Sequence, residues 1–236
     1  MLVLVEYWAI SLKSSILSLC SKFSVTPLSN ISFRSSFVID ISPLSTGHKV
    51  RGTGFYLSNL KKSLTEYFPQ NTYNFFTKLD ELKMDIDIIH YPYFEPFFLT
   101  QDFKKKIPTV VTVHDLTPLK FPTNFPAGLK GKLRWIINKQ HLKNVDAIIT
   151  DSLASKKDIM QYVKIDHAKI HVVYLSAGEE FKKLDLSQKE KIAMQNKYSL
   201  PQKFVLYVGD VTWNKNLPRL IKAIQKANIP LIMVGK

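Results

Sequence analysis

Cysteine is almost absent: Cys20 stands alone among 236 residues. A single thiol excludes a disulfide scaffold and a Cys-rich zinc site. Long apolar runs are missing too, since none approaches the roughly 18–20 residues of a spanning helix. Acidic side chains are scarce in the second part of the chain. Residues 1–100 hold 9 Lys and Arg against 8 Asp and Glu, whereas residues 101–236 hold 24 against 11. What is present is enough for a core: 45% of residues are hydrophobic and 12% aromatic, which excludes wholesale disorder. These numbers describe a soluble, reducing-compartment globular protein with one large domain or two small ones. The formal charge of +14 favours anionic partners such as nucleic acid, anionic lipid or a phosphorylated small molecule. The plainer reading is a solvated basic surface.

Residues 1–36 differ from the rest of the chain. Ten are Ser, Glu6 is the one acid, and Lys13, Lys22 and Arg34 are the basic residues. The apolar start lacks a basic n-region, so it makes a poor secretory signal. A weakly ordered or non-native extension is expected there.

From Phe37 short apolar runs alternate with segments of helical period. Strands are predicted over 37–41, 73–76, 86–90, 109–113, 147–150 and 170–174. A helix opens at Gly52–Gly54, with Leu57, Leu60 and Leu64 three and four apart. A second covers 129–143, with Leu129, Leu133, Ile136 and Ile137 on one side. A third comes after Ser152, which has the chemistry of an N-cap. The strands are unbroken apolar runs, as in a parallel sheet covered on both faces. Strand–helix alternation then predicts a doubly wound, mostly parallel α/β fold of Rossmann type. Its domain covers 37–175. Residues 176–202 read as a linker and a helix. Residues 203–236 read as one βαβ unit, an incomplete second Rossmann-like domain.

Ligands of such sheets sit at the C-terminal ends of the strands. Four strand ends carry candidates. Gly52, Thr53 and Gly54 form a glycine loop before a helix, able to offer free N–H groups to a phosphate. The third glycine of a dinucleotide fingerprint is missing. His114 and Asp115 come directly after the run 109–113, where a His faces the ligand crevice. No second His stands at metal-ligand spacing, so no metal is expected. Asp151 and Ser152 come after the next strand; no G-x-S-x-G surrounds Ser152, which leaves it a helix cap rather than a nucleophile. Gly209, Asn214 and Lys215 lie between a strand and a helix, where Lys215 could neutralise a diphosphate. That loop is not a P-loop.

These stretches share an order and spacing with a known family. They are residues 37–64, Asp87–Pro92 (D-I-I-H-Y-P), Val110–Asp115 (V-V-T-V-H-D), Asp146–Ser152 (D-A-I-I-T-D-S), Lys169–Tyr174, Leu206–Gly209, Lys215–Leu217 and Leu231–Gly235. Together the set resembles glycosyltransferase family 4, retaining enzymes of GT-B fold, over about residues 37–236.

The resemblance implies a bacterial-type, cytoplasmic hexosyltransferase, in its acceptor half plus the first part of its donor half. His114 matches the active-site histidine beside the transferred sugar, and Asp115 and Ser152 support it. Lys215, with Asn214 and Gly209, matches the donor diphosphate site. Gly52–Gly54 would line the cleft. The substrates implied are a nucleotide-sugar and an acceptor, either lipid-linked or a saccharide, with no cofactor, no metal and no nucleic acid. Two features depart from the family. Asn214 stands where an Arg is common, which removes one cation. No Glu is followed by another Glu eight residues later, so the carboxylates that bind the donor sugar and ribose are missing. A truncated chain, weak or inactive by itself, is therefore expected.

Two other readings compete. One is a non-catalytic basic α/β module that docks on nucleic acid or on a partner protein, although no helix-turn-helix or RRM signature is present. The other concerns residues 130–143, where Lys130, Lys132, Arg134, Lys139 and Lys143 accompany Leu129, Leu133, Trp135 and Ile136. Such a helix could lie peripherally on the inner face of the membrane. The favoured expectation packs its apolar side on the sheet and leaves its basic side to water.

Overall fold

A computed structural model describes residues 36–78, 86–101, 107–178 and 181–235. The expected extension over 1–36 therefore falls outside the described residues except for Ser36, which begins the first strand. The chain forms two compact units, divided between Gly178 and Glu179.

The first unit is built on six strands: β1 (Ser36–Asp40), β2 (Thr72–Phe76), β3 (Ile88–Tyr91), β4 (Thr109–Thr112), β5 (Ala147–Thr150) and β6 (Ile170–Val172). They form one sheet in the order β2-β1-β3-β4-β5-β6, and every neighbouring pair is parallel. This is the expected doubly wound α/β architecture. The strand runs are unbroken because both faces are covered. Val38, Ile89, Val111 and Ile148 point into one core with Leu142, Ile159 and Val163. Their neighbours Ile39, Ile88, Val110 and Ile149 point into the other with Leu57, Leu60 and Leu64.

Those three leucines belong to α1 (Gly52–Tyr67). Their three- and four-residue spacing puts them on one helix face. Burying each contributes about 1.5–3 kcal/mol at most. The helix opens at Gly52–Gly54 as expected, so these residues are its first turn and not a glycine loop before it, and the preceding segment folds as two 3-10 turns, Ser42–Ser45 and Gly47–Val50. A Cβ on Gly54 would run into the carbonyl oxygens of His48 and Lys49. Glycine there is what lets the turn close down on the helix.

The other face carries α3 (Gly128–Asn144) and α4 (Leu153–Val163), after a single short helical turn, α2 (Thr117–Lys120). Ser152 caps α4 as expected, its hydroxyl accepting from the N–H of Ser155 at 3.1 Å. The expected packing of α3 is corrected. Leu129, Leu133, Ile136 and Ile137 are exposed, and the buried stripe is Gly131, Asn138 and Leu142, with Trp135 half-buried against the core. The reason is polar. The segment 95–98 crosses this side of the helix, and Asn138 Nδ2 donates to the carbonyls of Glu95, Pro96 and Phe98 at 2.7–3.1 Å. Backbone carbonyls brought into a core require a donor. Gly131 admits Phe97 beside it.

The second unit holds α5 (Gln188–Tyr198), β7 (Val205–Val208), α6 (Leu217–Ala227) and β8 (Leu231–Val234). A capping box opens α5, with Ser187 and Glu190 satisfying each other's backbone N–H. Strands β7 and β8 pair in parallel, from Val205 with Leu231 to Val208 with Val234.

Candidate active site

The strand order reverses direction between β1 and β3, since β2 lies on one side of β1 and all later strands lie on the other. A crevice forms at the C-terminal ends of strands flanking such a switch point. The segments leaving β1, β3, β4 and β5 supply its side chains.

From β1 comes Asp40, a buried residue whose carboxylate accepts from the N–H and the hydroxyl of Ser42 at 2.8 and 3.1 Å. Burial raises its pKa, and the Ser42 bonds oppose that shift. From the turns after β1 comes His48, whose ring lies 4.7 Å from that of Tyr93, with Nε2 3.3 Å from the phenol oxygen. Burial and then the charge of Arg51 lower the pKa of His48. From the end of β3 come Tyr93 and Glu95. Burial raises the pKa of both; the Glu95 carboxylate raises that of Tyr93 further while Arg51 opposes it, and the Asp115 carboxylate raises that of Glu95 further. Tyr93 thus lies within electrostatic reach of Glu95, Arg51 and Asp115.

His114 lies just beyond β4, and Asp151 just beyond β5. The pairing Thr112↔Ile149 continues two residues further and brings the two side by side. His114 Nδ1 lies 2.7 Å from Asp151 Oδ2, with each side chain 20% exposed. A carboxylate only accepts, so Nδ1 carries the proton. His114 Nε2 is buried and has no hydrogen-bond partner among the described residues. The ring is held at one end and uncommitted at the other.

Beneath it lies a polar layer on the α1 side of the sheet. Tyr56 meets His114 edge-on at 4.8 Å between ring centroids. Its hydroxyl is 3.4 Å from Thr112 Oγ1, which is 2.8 Å from His90 Nε2. Burial, and then the charge of His114, pushes the pKa of His90 down to about 3. His90 is therefore a neutral hydrogen-bonding group. The parity of β4 explains the stack, because Val110, Thr112 and His114 alternate onto one face.

The other sequence-predicted residues are divided between the two units. Asp115 is exposed and accepts from the N–H of Thr117 at 2.8 Å, opening α2. Ser152 caps α4. Gly52, Thr53 and Gly54 start the helix that carries Tyr56. Gly209, Asn214 and Lys215 belong to the second unit. Gly209 leaves β7 with φ +152°, where a Cβ would press on the Tyr207 hydroxyl. Lys215 is exposed on the 3-10 turn Trp213–Lys215, directly before α6. Asn214 Oδ1 accepts from Thr212 Oγ1 at 2.6 Å, which leaves its amide N–H groups to donate. Sequence reasoning missed Asp151 as the partner of His114, as well as Tyr56, Thr112, His90 and the Tyr93–His48 contact. For Asp151 a signal existed: both residues stand directly after the apolar runs of neighbouring strands. Among the described residues no cluster of His, Cys, Asp and Glu could hold a metal ion.

Comparison with known proteins adds an independent result. A family described as Glycosyltransferase Family 4 matches residues 46–176, more than half of this sequence. The match includes Gly52–Gly54, His114, Asp115, Asp151 and Ser152, and it stops short of Lys215. Two Escherichia coli proteins named serotype-specific mannosyltransferase WbdA are each 27% identical over 115 residues, 49% of this chain and 14% of theirs. This chain therefore spans only a small part of those relatives. The crystal structure of a glycosyltransferase from Rickettsia africae ESF-5 aligns over 86% of this chain and 69% of that one, at 14% identity and a TM-score of 0.41.

Proposed function

The chain belongs to glycosyltransferase family 4, and from that premise we propose that it serves transfer of a sugar from a nucleotide-activated donor to an acceptor hydroxyl with retention at the anomeric carbon. The bond from the sugar C1 to the diphosphate oxygen breaks. A bond from C1 to the acceptor oxygen forms, and the acceptor proton leaves with the diphosphate. The charge to be stabilised develops on the leaving group. In this reading Lys215 answers it with a cation, Asn214 with N–H donors, and Gly209 with close backbone approach beside the start of α6. His114 stands by the sugar, and Gly52–Gly54 contribute to the cleft.

The observation that supports this best is the His114–Asp151 pair. A histidine held through Nδ1, with Nε2 buried and uncommitted at the ligand edge of the sheet, is built to meet a sugar hydroxyl. The name of the Escherichia coli relatives makes a mannosyl donor the first to test. A lipid-linked or saccharide acceptor, a cytoplasmic location and independence from metal and nucleic acid belong to the same proposal. Because the Glu-x7-Glu carboxylates are not among these 236 residues, the proposal also holds this chain by itself to be weak or inactive.

The test is titration with UDP, GDP, ADP and their sugar conjugates, read as melting temperature. One nucleotide is expected to raise it, and Lys215→Ala to abolish the rise. If none raises it, even when the chain is joined to a complete donor domain of the family, the reading fails.

A further inference from the structure

One hydrogen bond holds His114, and one bond does not orient a ring. The bond to Asp151 fixes the Nδ1 atom and the tautomer. The torsion that turns an imidazole about its Cβ–Cγ bond is broad, so Nε2 is left free to swing. Among the described residues it has no hydrogen-bond partner to stop it. Ring packing is what remains, and Tyr56 supplies it. The two rings meet at 4.8 Å between centroids with 87° between their planes. Aromatic rings favour that edge-on geometry at about 4.5–7 Å.

The Tyr56 ring is itself firmly carried. Side chains of a helix lean toward its N-terminus, and Tyr56 lies near the start of α1, packed beside the core that holds Leu57 and Leu60. Those two leucines are fully buried and anchor the turn. Gly54 presses the helix start against the carbonyls of His48 and Lys49. The Tyr56 hydroxyl is 3.4 Å from Thr112 Oγ1, which is 2.8 Å from His90 Nε2. A separation of 3.4 Å is long for two hydroxyls, so the hydroxyl is a loose tether and the ring is the orienting part. An aliphatic residue at position 56 would pack on the same core. Burial by itself therefore gives no reason for an aromatic side chain there, whereas the plane of His114 does.

We propose that Tyr56 is a positioning residue, whose ring sets the plane of the His114 imidazole and so aims Nε2 at the transferred sugar. The role rests on the transferase reading for its substrate; the restraint on the ring does not. Asp151 and Tyr56 divide the work. The carboxylate fixes which nitrogen carries the proton, and the aromatic ring fixes where the other nitrogen points. A group that acts on a bound substrate needs both, since a displacement of about 1 Å can cost a hundredfold in rate.

Nuclear magnetic resonance of the full chain, with nitrogen-labelled histidine, reads the ring directly. The His114 Nδ1–H signal is identified by its loss in His114→Gln. In the unmodified chain it is expected as a single sharp signal, with a nuclear Overhauser contact between the His114 and Tyr56 rings. Tyr56→Leu should keep the tautomer, because Asp151 remains, but broaden the signal. Tyr56→Phe keeps the ring and should keep the signal sharp. Tyr67→Leu, at the exposed far end of α1, controls for a general loosening of the helix and should leave the signal unchanged. In a chain with a complete donor domain, Tyr56→Leu should lower kcat by roughly tenfold to a hundredfold. KM for the nucleotide-sugar should stay within about twofold, as for a loss confined to the transition state. Tyr56→Phe should lose no more than about threefold, the value of one weak hydrogen bond. Three results would each overturn the proposal. One is a signal as sharp in Tyr56→Leu as in the unmodified chain. Another is a loss of rate in Tyr56→Phe as large as in Tyr56→Leu. The third, which needs no variant to fold, is the absence of the ring contact in the unmodified chain. If no nucleotide binds, the kinetic arm fails with the transferase reading, and the resonance arm still decides whether Tyr56 holds His114.

Discussion

His114 and Asp151 occupy equivalent positions on neighbouring parallel strands, two residues beyond their last paired residues, and their side chains meet at 2.7 Å. Two strand ends thereby make one chemical unit, a histidine with a fixed tautomer. The residues between them in sequence are irrelevant to the contact; the register of β4 with β5 makes it.

Asp151→Asn should leave the fold intact and slow sugar transfer. The asparagine can present its amide to His114 Nδ1, which reverses the tautomer and turns an N–H toward the site. A loss of roughly tenfold to a hundredfold is expected, with His114→Ala losing more, about 10²–10³-fold, on the scale of removing a single preorganised group. Initial rates in a chain with a complete donor domain, compared at matched melting temperatures, check both.

Lys215→Ala should weaken nucleoside diphosphate binding by roughly tenfold to a hundredfold, the range of a charge-assisted hydrogen bond of about 1.5–3 kcal/mol. Lys215→Arg should restore most of it. Isothermal titration calorimetry reads this directly. An unchanged affinity in the alanine variant would remove Lys215 from the donor site.

Acid should destabilise the protein through His90. Its folded-state pKa is pushed down to about 3 from an ordinary 6.5. The unfolded chain therefore binds a proton at pH values where the folded chain does not. Stability from this group is complete above the ordinary value of 6.5 and is lost as pH falls from there toward about 3. The raised pKa values of Asp40 and Glu95 act with the opposite sign at the acid end. His90→Gln, which can still reach Thr112, should flatten the decline on the acid side of that ordinary value. Urea midpoints across that range measure it; an equally steep decline in the variant would assign the loss to other groups.

Asn138→Leu should cost about 1–3 kcal/mol, the penalty for leaving buried carbonyls without donors, although leucine is the more apolar residue. The carbonyls of Glu95, Pro96 and Phe98 all accept from the Asn138 amide. Leu57→Ala, a conventional core truncation, should cost about 2–5 kcal/mol. Chemical denaturation ranks the two. If Asn138→Leu stabilises, the amide does not hold the 95–98 segment.

Much of the fold was legible because its signals are local. The doublets Val38-Ile39, Ile88-Ile89, Val110-Val111 and Ile148-Ile149 announce strands buried on both faces. Leu57, Leu60 and Leu64 announce one helix stripe, and Ser152 announces a cap. Helix α3 shows where such signals fail. It carries two candidate stripes, an aliphatic line through Leu129, Leu133 and Ile136 and a mixed one through Gly131, Trp135, Asn138 and Leu142. Hydrophobicity favours the first. The fold chose the second, because a neighbouring segment arrives with unpaired carbonyls and little space, and asparagine and glycine meet those needs.

The sequence by itself therefore determined the architecture, the strand-end position of His114 and the separate basic loop at Lys215, since each depends on residues close together in the chain. Tertiary structure decided that Asp151 rather than Asp115 holds His114, that Tyr56, Thr112 and His90 form the layer beneath it, and that α3 turns its leucines to solvent. Those outcomes depend on strand register and on which segments cross which faces. Register and crossing are properties of pairs of distant segments, and nothing within either segment encodes its partner.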